Sequence, residues 1–449
     1  MKKNEKKSVS HVKRNFLLLI SVLLMTVVSC RQDEILPDPL SDAEHQYLLK
    51  SNEISSDDEG NYYGTYKGGL WQISLPESWN YTEQMGMPRI MVFYAHGLVD
   101  PYPYEEIKPL ADTIDGIPVK DIITGMGMGY ATTSYRDNGL VVLDAIMDVQ
   151  QLSIVVKKFF LNHPEYLPPD LLILGGPSEG GLVTVKTIEK YPQLFDGAIS
   201  ICGPIGSFYD QLQYNGDFHV LFNYFFKPEL EQLKLAMGID LGSPEGVPKS
   251  TMDAWKYGNL QEIIIGLLAT EMENGYSNRI IQLLNVLGAT KSVDMSEPVA
   301  IITAVIQLLR YNIMFTNDVT ERMKGVPYTN VGKVYEGSSD YVALNAGVER
   351  ILDHSYKRAR NFISHYETSG RITVPLVIIH TTDHVTPFWH QEKYASKIHP
   401  KSSDLLCRID VDTYGHCTIS VDDIVKAFTC LADKMGFSLP TAVTELSQQ

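Results

Sequence analysis

The chain has 449 residues and a formal net charge of −16, with 54 acidic and 38 basic side chains. This acidity argues against nucleic acid and against an anionic membrane surface as partners, because both carry negative charge themselves. The length is sufficient for a large buried core, and we find no internal repeat at a fixed period.

The first 30 residues have the features of an export signal. Basic side chains precede an apolar run at 16–28, which is short for a membrane span and ends at Ser29-Cys30. Residues 26–30 (TVVSC) resemble the lipobox of bacterial lipoproteins, which implies lipidation of Cys30 after removal of residues 1–29. Residues 31–34 (RQDE) resemble the surface-export signals of some Gram-negative lipoproteins, so we expect an outer-membrane protein, with surface exposure open. The alternative is an ordinary cleaved signal with an incidental cysteine.

Removal of residues 1–29 would take away six basic side chains and one acidic side chain, leaving a net charge of −21. The next segment, residues 30–60, contains two prolines and the run SSDDEG but few apolar residues. This composition predicts an acidic, flexible tether between a lipid anchor and a folded body.

From residue 61 to 205, short apolar runs alternate with helical patterns. Helices are predicted at 138–160 and 181–191. Strands are predicted at 70–75, 90–95, 130–134, 171–174 and 198–202. This alternation predicts βαβ units, and hence an α/β fold with a mostly parallel central sheet flanked by helices.

Helical periodicity alone occupies residues 206–370, which predicts a helical cap inserted between the sixth and seventh strands. The second part of the core, at 371–440, follows with two strands and a closing helix, and residues 441–449 form a tail. We expect most of an aromatic cluster after the sixth strand to pack inside the cap, with a few members lining a substrate pocket: Phe218, Phe222, Tyr224, Phe225 and Phe226. The predicted helices of the cap are 229–237, 260–273, 279–287, 298–312 and 345–368.

Residues 171–182 (LLILGGPSEGGL) contain a G-x-S-x-G pattern between a predicted strand and a predicted helix. Gly176 and Gly180 flank Ser178, and small residues there permit the sharp turn that exposes a serine hydroxyl above a sheet. Chance matches to this pattern are frequent, so its strand–turn–helix setting carries the prediction. We interpret Ser178 as a nucleophile.

An elbow serine needs an orienting acid and a base, which in this architecture follow in the order Ser, Asp or Glu, His. Asp383 directly follows the strand predicted at 374–380, and His416 follows the strand predicted at 405–411. The sequence therefore predicts a Ser178-Asp383-His416 triad.

Other acids and histidines lie near these positions. His380, His384 and His390 precede the last strand, so we interpret them as a strand-end histidine and two exposed loop histidines. Asp410 and Asp412 flank His416 on its own strand, which leaves Asp210 as the alternate acid.

Two backbone N–H groups are expected to stabilise an oxyanion. One belongs to Glu179, the residue after the nucleophile, and the other to Leu98, in the loop that begins at His96-Gly97 after the third strand.

These motifs together resemble the α/β-hydrolase superfamily over roughly residues 60–436. The resemblance includes residues 129–136 (GYATTSYR), and the phrase LPESWN at 75–80 resembles secreted bacterial esterases with a large cap. It implies a serine hydrolase that cleaves carboxylic esters through an acyl-enzyme. Pro177 departs from the pattern, because a larger polar or aromatic residue is commoner before the serine.

Two alternatives remain open: a serine peptidase of the prolyl-oligopeptidase type, and a non-catalytic surface-binding lipoprotein. We expect no cofactor, since neither metal-ligand spacing nor a dinucleotide fingerprint occurs. Four cysteines follow Cys30: Cys202, Cys407, Cys417 and Cys430. We interpret them as buried thiols, and the alternatives are disulfides between Cys417 and Cys430 and between Cys202 and Cys407.

Overall fold

The computed structural model describes residues 55–57, 60–66, 69–102, 112–273 and 278–440. The predicted signal, Cys30, most of the predicted tether and the tail lie outside the described residues.

The described residues form a nine-stranded central sheet and a separate two-stranded ribbon. The sheet has the strand order β1-β2-β3-β7-β4-β8-β9-β10-β11, in which β1, β2 and β3 are antiparallel and the strands from β7 to β11 run parallel. The sheet strands are β1 Ser55–Ser56, β2 Asn61–Tyr66, β3 Gly69–Ser74, β4 Ile90–Tyr94, β7 Gly129–Thr133, β8 Leu171–Pro177, β9 Gly197–Ile201, β10 Leu376–Thr382 and β11 Leu406–Tyr414. The ribbon pairs β5 Thr113–Ile114 with β6 Ile117–Pro118.

Helices cover both faces of the sheet. Since successive strand residues point to opposite sides, one strand contributes to the buried clusters on both faces. On β8, Leu174 belongs to the same buried cluster as Leu182 of α3, whereas Ile173 belongs to the cluster of Phe428 of α13. The helices of the sheet domain are α1 Val119–Gly125, α2 Val142–Asn162, α3 Glu179–Lys190, α12 Trp389–Lys397 and α13 Val421–Met435. This arrangement is the predicted α/β-hydrolase fold.

Eight described helices lie between β9 and β10, where the sequence predicts a cap. They enclose their own apolar core, which includes Phe218, Phe222 and Leu309. The helices are α4 Phe208–Phe225, α5 Lys227–Met237, α6 Lys249–Lys256, α7 Leu260–Met272, α8 Arg279–Leu287, α9 Pro298–Arg322, α10 Tyr341–Gly347 and α11 Tyr356–Ile363.

Helix α9 is long and apolar enough to cross a membrane by length and composition, and it is the one such helix among the described residues. It packs against α4, α6 and α7, and 61% of its most apolar stretch is buried. Helix α9 is therefore a core helix of the cap.

Several predicted boundaries differ from the structure, among them the helix predicted at 298–312, which continues to Arg322 as α9. The helix predicted at 345–368 is two short helices, α10 and α11, because the backbone becomes extended at Val348, directly after α10. The helix predicted from 138 begins at Val142, since the preceding backbone forms a turn with Gly139 at φ +87°. The predicted tether extends too far, because β1 at residues 55–56 pairs with β2.

Candidate active site

Ser178 occupies a sharp turn between β8 and α3. Its backbone has φ 53° and ψ −120°, a conformation that side-chain-bearing residues rarely adopt, and its N–H donates to the Ile201 carbonyl at 2.8 Å. A Cβ atom at Gly176 or at Gly180 would lie 1.9 Å from the Ala95 carbonyl oxygen. Glycine is therefore required on both sides of Ser178, as predicted from the G-x-S-x-G pattern.

The structure brings Ser178, His416 and Asp383 together from the ends of three parallel strands. His416 Nε2 lies 2.9 Å from Ser178 Oγ, and His416 Nδ1 lies 2.6 Å from Asp383 Oδ2. A general base must lie within hydrogen-bond reach of the proton that it takes, and both distances satisfy this requirement. The three side chains thus have the geometry of a nucleophile, a base and an orienting acid.

Hydrogen bonds fix the acid and the histidine loop. Asp383 Oδ1 accepts from the backbone N–H groups of Val385 at 2.7 Å and Thr386 at 3.2 Å, which leaves Oδ2 for His416. The loop before His416 is attached to β10, because the Gly415 N–H donates to the Thr382 carbonyl at 3.1 Å and its carbonyl accepts from Thr381 Oγ1 at 2.7 Å. The ends of these strands therefore hold Asp383 and His416 in fixed positions relative to each other.

Burial and charge act in opposite directions on this pair. Burial alone would raise the pKa of Asp383, but the facing imidazole of His416 holds that pKa below its usual range. Burial alone would lower the pKa of His416, but Asp383 raises it above its usual value. The carboxylate is thus ionised and favours the imidazolium that forms when His416 takes a proton.

Thr386 is a site residue that the sequence prediction missed. Its Oγ1 lies 3.1 Å from His416 Nδ1, the atom that also contacts Asp383. The sequence places Thr386 three residues after the acid, but a threonine in a turn gives no signal of such a contact.

The two predicted oxyanion donors lie beside Ser178. A Cβ at Gly97 would lie 3.7 Å from the Ser178 Cβ, so the loop after β4 packs against the nucleophile. Leu98 and Glu179 both line the cavity that contains Ser178. In the part of the chain that the structure describes, neither N–H donates to another protein group. An N–H group without a protein acceptor beside the serine is what an oxyanion donor requires.

A cavity of about 120 Å³ opens at Ser178 between the sheet domain and the cap. Its walls are mainly apolar and aromatic, and include Leu98, Leu182, Phe208, Tyr311, Phe315 and Tyr328. The prediction that a few aromatic residues of the cluster at 218–226 line the substrate pocket is wrong. Phe218, Phe222, Phe225 and Phe226 pack in the cap core, where helix–helix contacts bury them, and the partly buried Tyr224 packs against that core.

The competing acids and histidines have other contacts. Asp210 pairs with Lys393 at 2.7 Å, and Asp410 accepts a hydrogen bond from Gln391. Contrary to prediction, His384 and His390 are buried rather than exposed, and His390 lies on α12 rather than in a loop. Helices α9 and α4 of the cap cover the two histidines. His384 Nε2 contacts Gln307 Oε1 at 2.6 Å, and His390 Nε2 contacts Gln211 Oε1 at 2.8 Å.

The state of the cysteines differs in part from the buried thiols that the sequence favours. Cys407 of β11 and Cys430 of α13 form a disulfide, a pairing that was not among the alternatives from sequence. The helix that follows β11 packs back against the sheet and brings the two residues together. Cys202 and Cys417 are free thiols; Cys202 is buried and Cys417 is partly exposed.

Among the described residues, no group of three or more His, Cys, Asp or Glu side chains is arranged to hold a metal ion.

Comparisons with family models and with curated proteins give no match. Solved structures give distant matches. One is feruloyl esterase B from Aspergillus oryzae, 12% identical over 82% of this chain and 79% of that chain, with a TM-score of 0.41. Another is the rice cell wall degrading esterase LipA from Xanthomonas oryzae, 13% identical over 86% and 88%, with a TM-score of 0.35.

A third is a putative dipeptidyl aminopeptidase IV from Bacteroides ovatus, 10% identical over 84% of this chain but 36% of that chain, with a TM-score of 0.36. These TM-scores are low, so the fold assignment rests on this chain's own strand order and on its nucleophile elbow. The chain has an α/β-hydrolase fold, with Ser178, His416 and Asp383 hydrogen-bonded in series at the carboxyl ends of its parallel strands.

Proposed function

We propose that the protein is a serine hydrolase that cleaves carboxylic esters through an acyl-enzyme. The observation that carries this proposal is the continuous contact from Ser178 Oγ to His416 and from His416 to Asp383, at 2.9 and 2.6 Å. The strained turn at Ser178 supports it, because strain of this kind persists where the surrounding structure imposes it and is typical of functional sites.

In this mechanism His416 Nε2 takes the proton of Ser178 as Oγ attacks the ester carbonyl carbon. The N–H groups of Leu98 and Glu179 stabilise the negative oxygen of the tetrahedral intermediate. His416 then gives the proton to the leaving alcohol, and an acyl-enzyme remains. Water, activated by the same imidazole, releases the acid and restores the serine.

The apolar cavity favours an ester over a peptide bond in an extended chain. It has room for one compact group of the substrate, and its walls are mostly hydrocarbon. The two other candidates, a peptidase and a binding lipoprotein, are kept as outcomes of the test below.

We further propose that the enzyme is exported and attached to the outer membrane through acyl chains on Cys30. The Cys407–Cys430 disulfide supports export, because disulfides persist mainly in oxidising compartments. Incorporation of labelled palmitate that is lost in Cys30→Ala would test the anchor.

The enzymatic proposal is tested by labelling purified residues 31–449 with a fluorophosphonate, which reacts with activated serines. We expect labelling of the wild type and of Ser364→Ala, an exposed-serine control, and none of Ser178→Ala. Hydrolysis of p-nitrophenyl esters and of aminoacyl amides is measured in parallel. Faster cleavage of amides would favour the peptidase, and a folded wild type without labelling would leave the binding lipoprotein.

A further inference from the structure

The loop after β4 carries the proposed oxyanion donor Leu98 but has no helix or strand of its own. One hydrogen bond to the sheet domain holds the backbone on each side of Leu98. The Tyr135 hydroxyl donates to the His96 carbonyl at 3.1 Å, before the donor. The Gly139 N–H donates to the Val99 carbonyl at 3.0 Å, after it. Single neutral hydrogen bonds contribute little each, so the next contacts of the loop matter for the direction of this N–H.

The second half of the loop is attached to the cap by its side chains. Asp100 forms an ion pair with Arg310 of α9, and its other oxygen lies 3.8 Å from Lys256 Nζ of α6. The Tyr102 hydroxyl donates to Asp253, also on α6. Two different cap helices therefore hold this part of the loop.

The contacts on α6 come from one face of that helix. Lys249, Asp253 and Lys256 are spaced i, i+4 and i+7, which places them along one side. Lys249 pairs with Asp253 at 2.9 Å, and its ammonium lies 5.2 Å from the centre of the Tyr102 ring. The loop therefore meets an ordered row of charged side chains rather than one isolated ion pair.

Arg310 connects this attachment to the active-site cavity. Its guanidinium lies 5.7 Å from the ring centres of Tyr311 and Phe315, which both line the cavity. The Tyr311 ring is nearly perpendicular to the ring of His416, with 6.3 Å between their centres. Only 19% of the Asp100 side chain is exposed, so water screens its charge-assisted bond less than it would at the surface. One stretch of α9 thus contacts the loop, forms part of the cavity wall and lies beside the base.

We propose that Asp100 is a positioning residue, whose ion pairs with the cap hold the Leu98 N–H where the oxyanion forms. The cavity wall at Ser178 is formed by other residues, Leu98 among them, so Asp100 acts through the loop and not on the substrate. This inference rests on the proposed esterase function, because it concerns the transition state of that reaction. The reacting groups stay in the sheet domain, and the cap changes only how fast they work.

The test compares Asp100→Ala with Glu229→Ala as the matched control. The control breaks an arginine–carboxylate pair inside the cap, between Glu229 and Arg279 at 2.8 Å, which is comparably exposed and not part of the cavity wall. Hydrolysis of p-nitrophenyl acetate is measured on the alkaline plateau of the pH profile. We expect Asp100→Ala to lower kcat about tenfold with KM nearly unchanged, less than the 10²–10³-fold cost of losing a whole donor. Glu229→Ala should keep wild-type kcat.

Inhibition by 2,2,2-trifluoroacetophenone gives a readout that a loss of stability alone would not move. Ser178 Oγ adds to its carbonyl carbon, the serine proton passes to His416, and the former carbonyl oxygen becomes the negative oxygen that the donors bind. The inhibition constant should therefore rise about tenfold in Asp100→Ala and stay unchanged in Glu229→Ala, as for a transition-state analogue.

Wild-type kcat and inhibition in a folded Asp100→Ala protein would overturn the proposal. A change confined to the midpoint of the pH profile would also overturn it, because loss of a neighbouring negative charge alone would produce that result. If Asp100→Ala does not fold, Arg310→Gln breaks the same pair and should lower plateau kcat to a similar extent; wild-type kcat there would overturn it. A wild type without fluorophosphonate labelling would refute the esterase function and this inference together, whereas a labelled wild type with an unaffected Asp100→Ala would refute this inference alone.

Discussion

Replacing Gly180 with alanine tests whether the loop after β4 positions an oxyanion donor. The added Cβ would lie 1.9 Å from the Ala95 carbonyl oxygen and 2.7 Å from that of His96, against ordinary contacts of 3.4 Å or more. The backbone at Ala95 must therefore move by roughly 1.5 Å, because interiors are close-packed. Since Ala95 and His96 lead directly to Leu98, the Leu98 N–H moves with them.

The expected loss follows from this displacement. Misplacement of a catalytic group by about 1 Å costs on the order of 10²-fold, and loss of one oxyanion donor costs about 10²–10³-fold. We therefore expect Gly180→Ala to lower kcat for p-nitrophenyl acetate by about 10²–10³. The fold should persist, with a loss of about 1–3 kcal/mol from overpacking, offset in part by the helix propensity of alanine.

Gly266→Ala is the matched control, because Gly266 is an exposed glycine within α7 whose Cβ would meet no atom within 4 Å. This variant should keep wild-type kcat and gain up to about 1 kcal/mol of stability. Steady-state kinetics and thermal denaturation monitored by circular dichroism measure both effects. Wild-type kcat in a folded Gly180→Ala protein would refute the assignment of the loop as an oxyanion donor.

Two further predictions concern the acid and the disulfide. In the wild type, kcat/KM should rise with pH through the pKa of His416, because the neutral imidazole is the base. Since Asp383 raises that pKa, Asp383→Asn should move the midpoint to lower pH, and it should also cut kcat by about 10⁴. A pH profile with the same midpoint in both proteins would contradict this role for Asp383. Loss of the Cys407–Cys430 disulfide, which joins residues 23 apart, should cost about 3 kcal/mol in urea denaturation of Cys407→Ser/Cys430→Ser, and an unchanged unfolding midpoint would contradict it.

The three residues of the proposed triad could be selected from the sequence because each lies just after the end of an apolar strand. Parallel strands bring their carboxyl ends to one edge, so order along the chain was sufficient to select Ser178, Asp383 and His416. The fold was predicted for the same reason, since strands and helices alternate visibly outside the cap.

Features that depend on contacts between distant segments could not be predicted. Helix α4 was missed because residues 216–222 are buried without interruption, which removes the polar face that reveals a helix. The Cys407–Cys430 pairing depends on how α13 returns to the sheet, and the burial of His384 depends on a cap helix above it. The carboxyl group of Glu179 contacts Val141, 38 residues earlier in the chain, so this contact was equally invisible.

The proposed catalytic groups and the cavity wall come from different parts of the chain. Ser178, Asp383 and His416 all lie on turns of the sheet domain, whereas α9 closes the cavity with Tyr311, Phe315 and Thr320. The same helix attaches the cap through Arg322, which bonds to Asp137 at 2.9 Å, beside the cavity. Evolution could therefore change substrate range by exchanging the insert between β9 and β10, while the reaction chemistry is inherited unchanged.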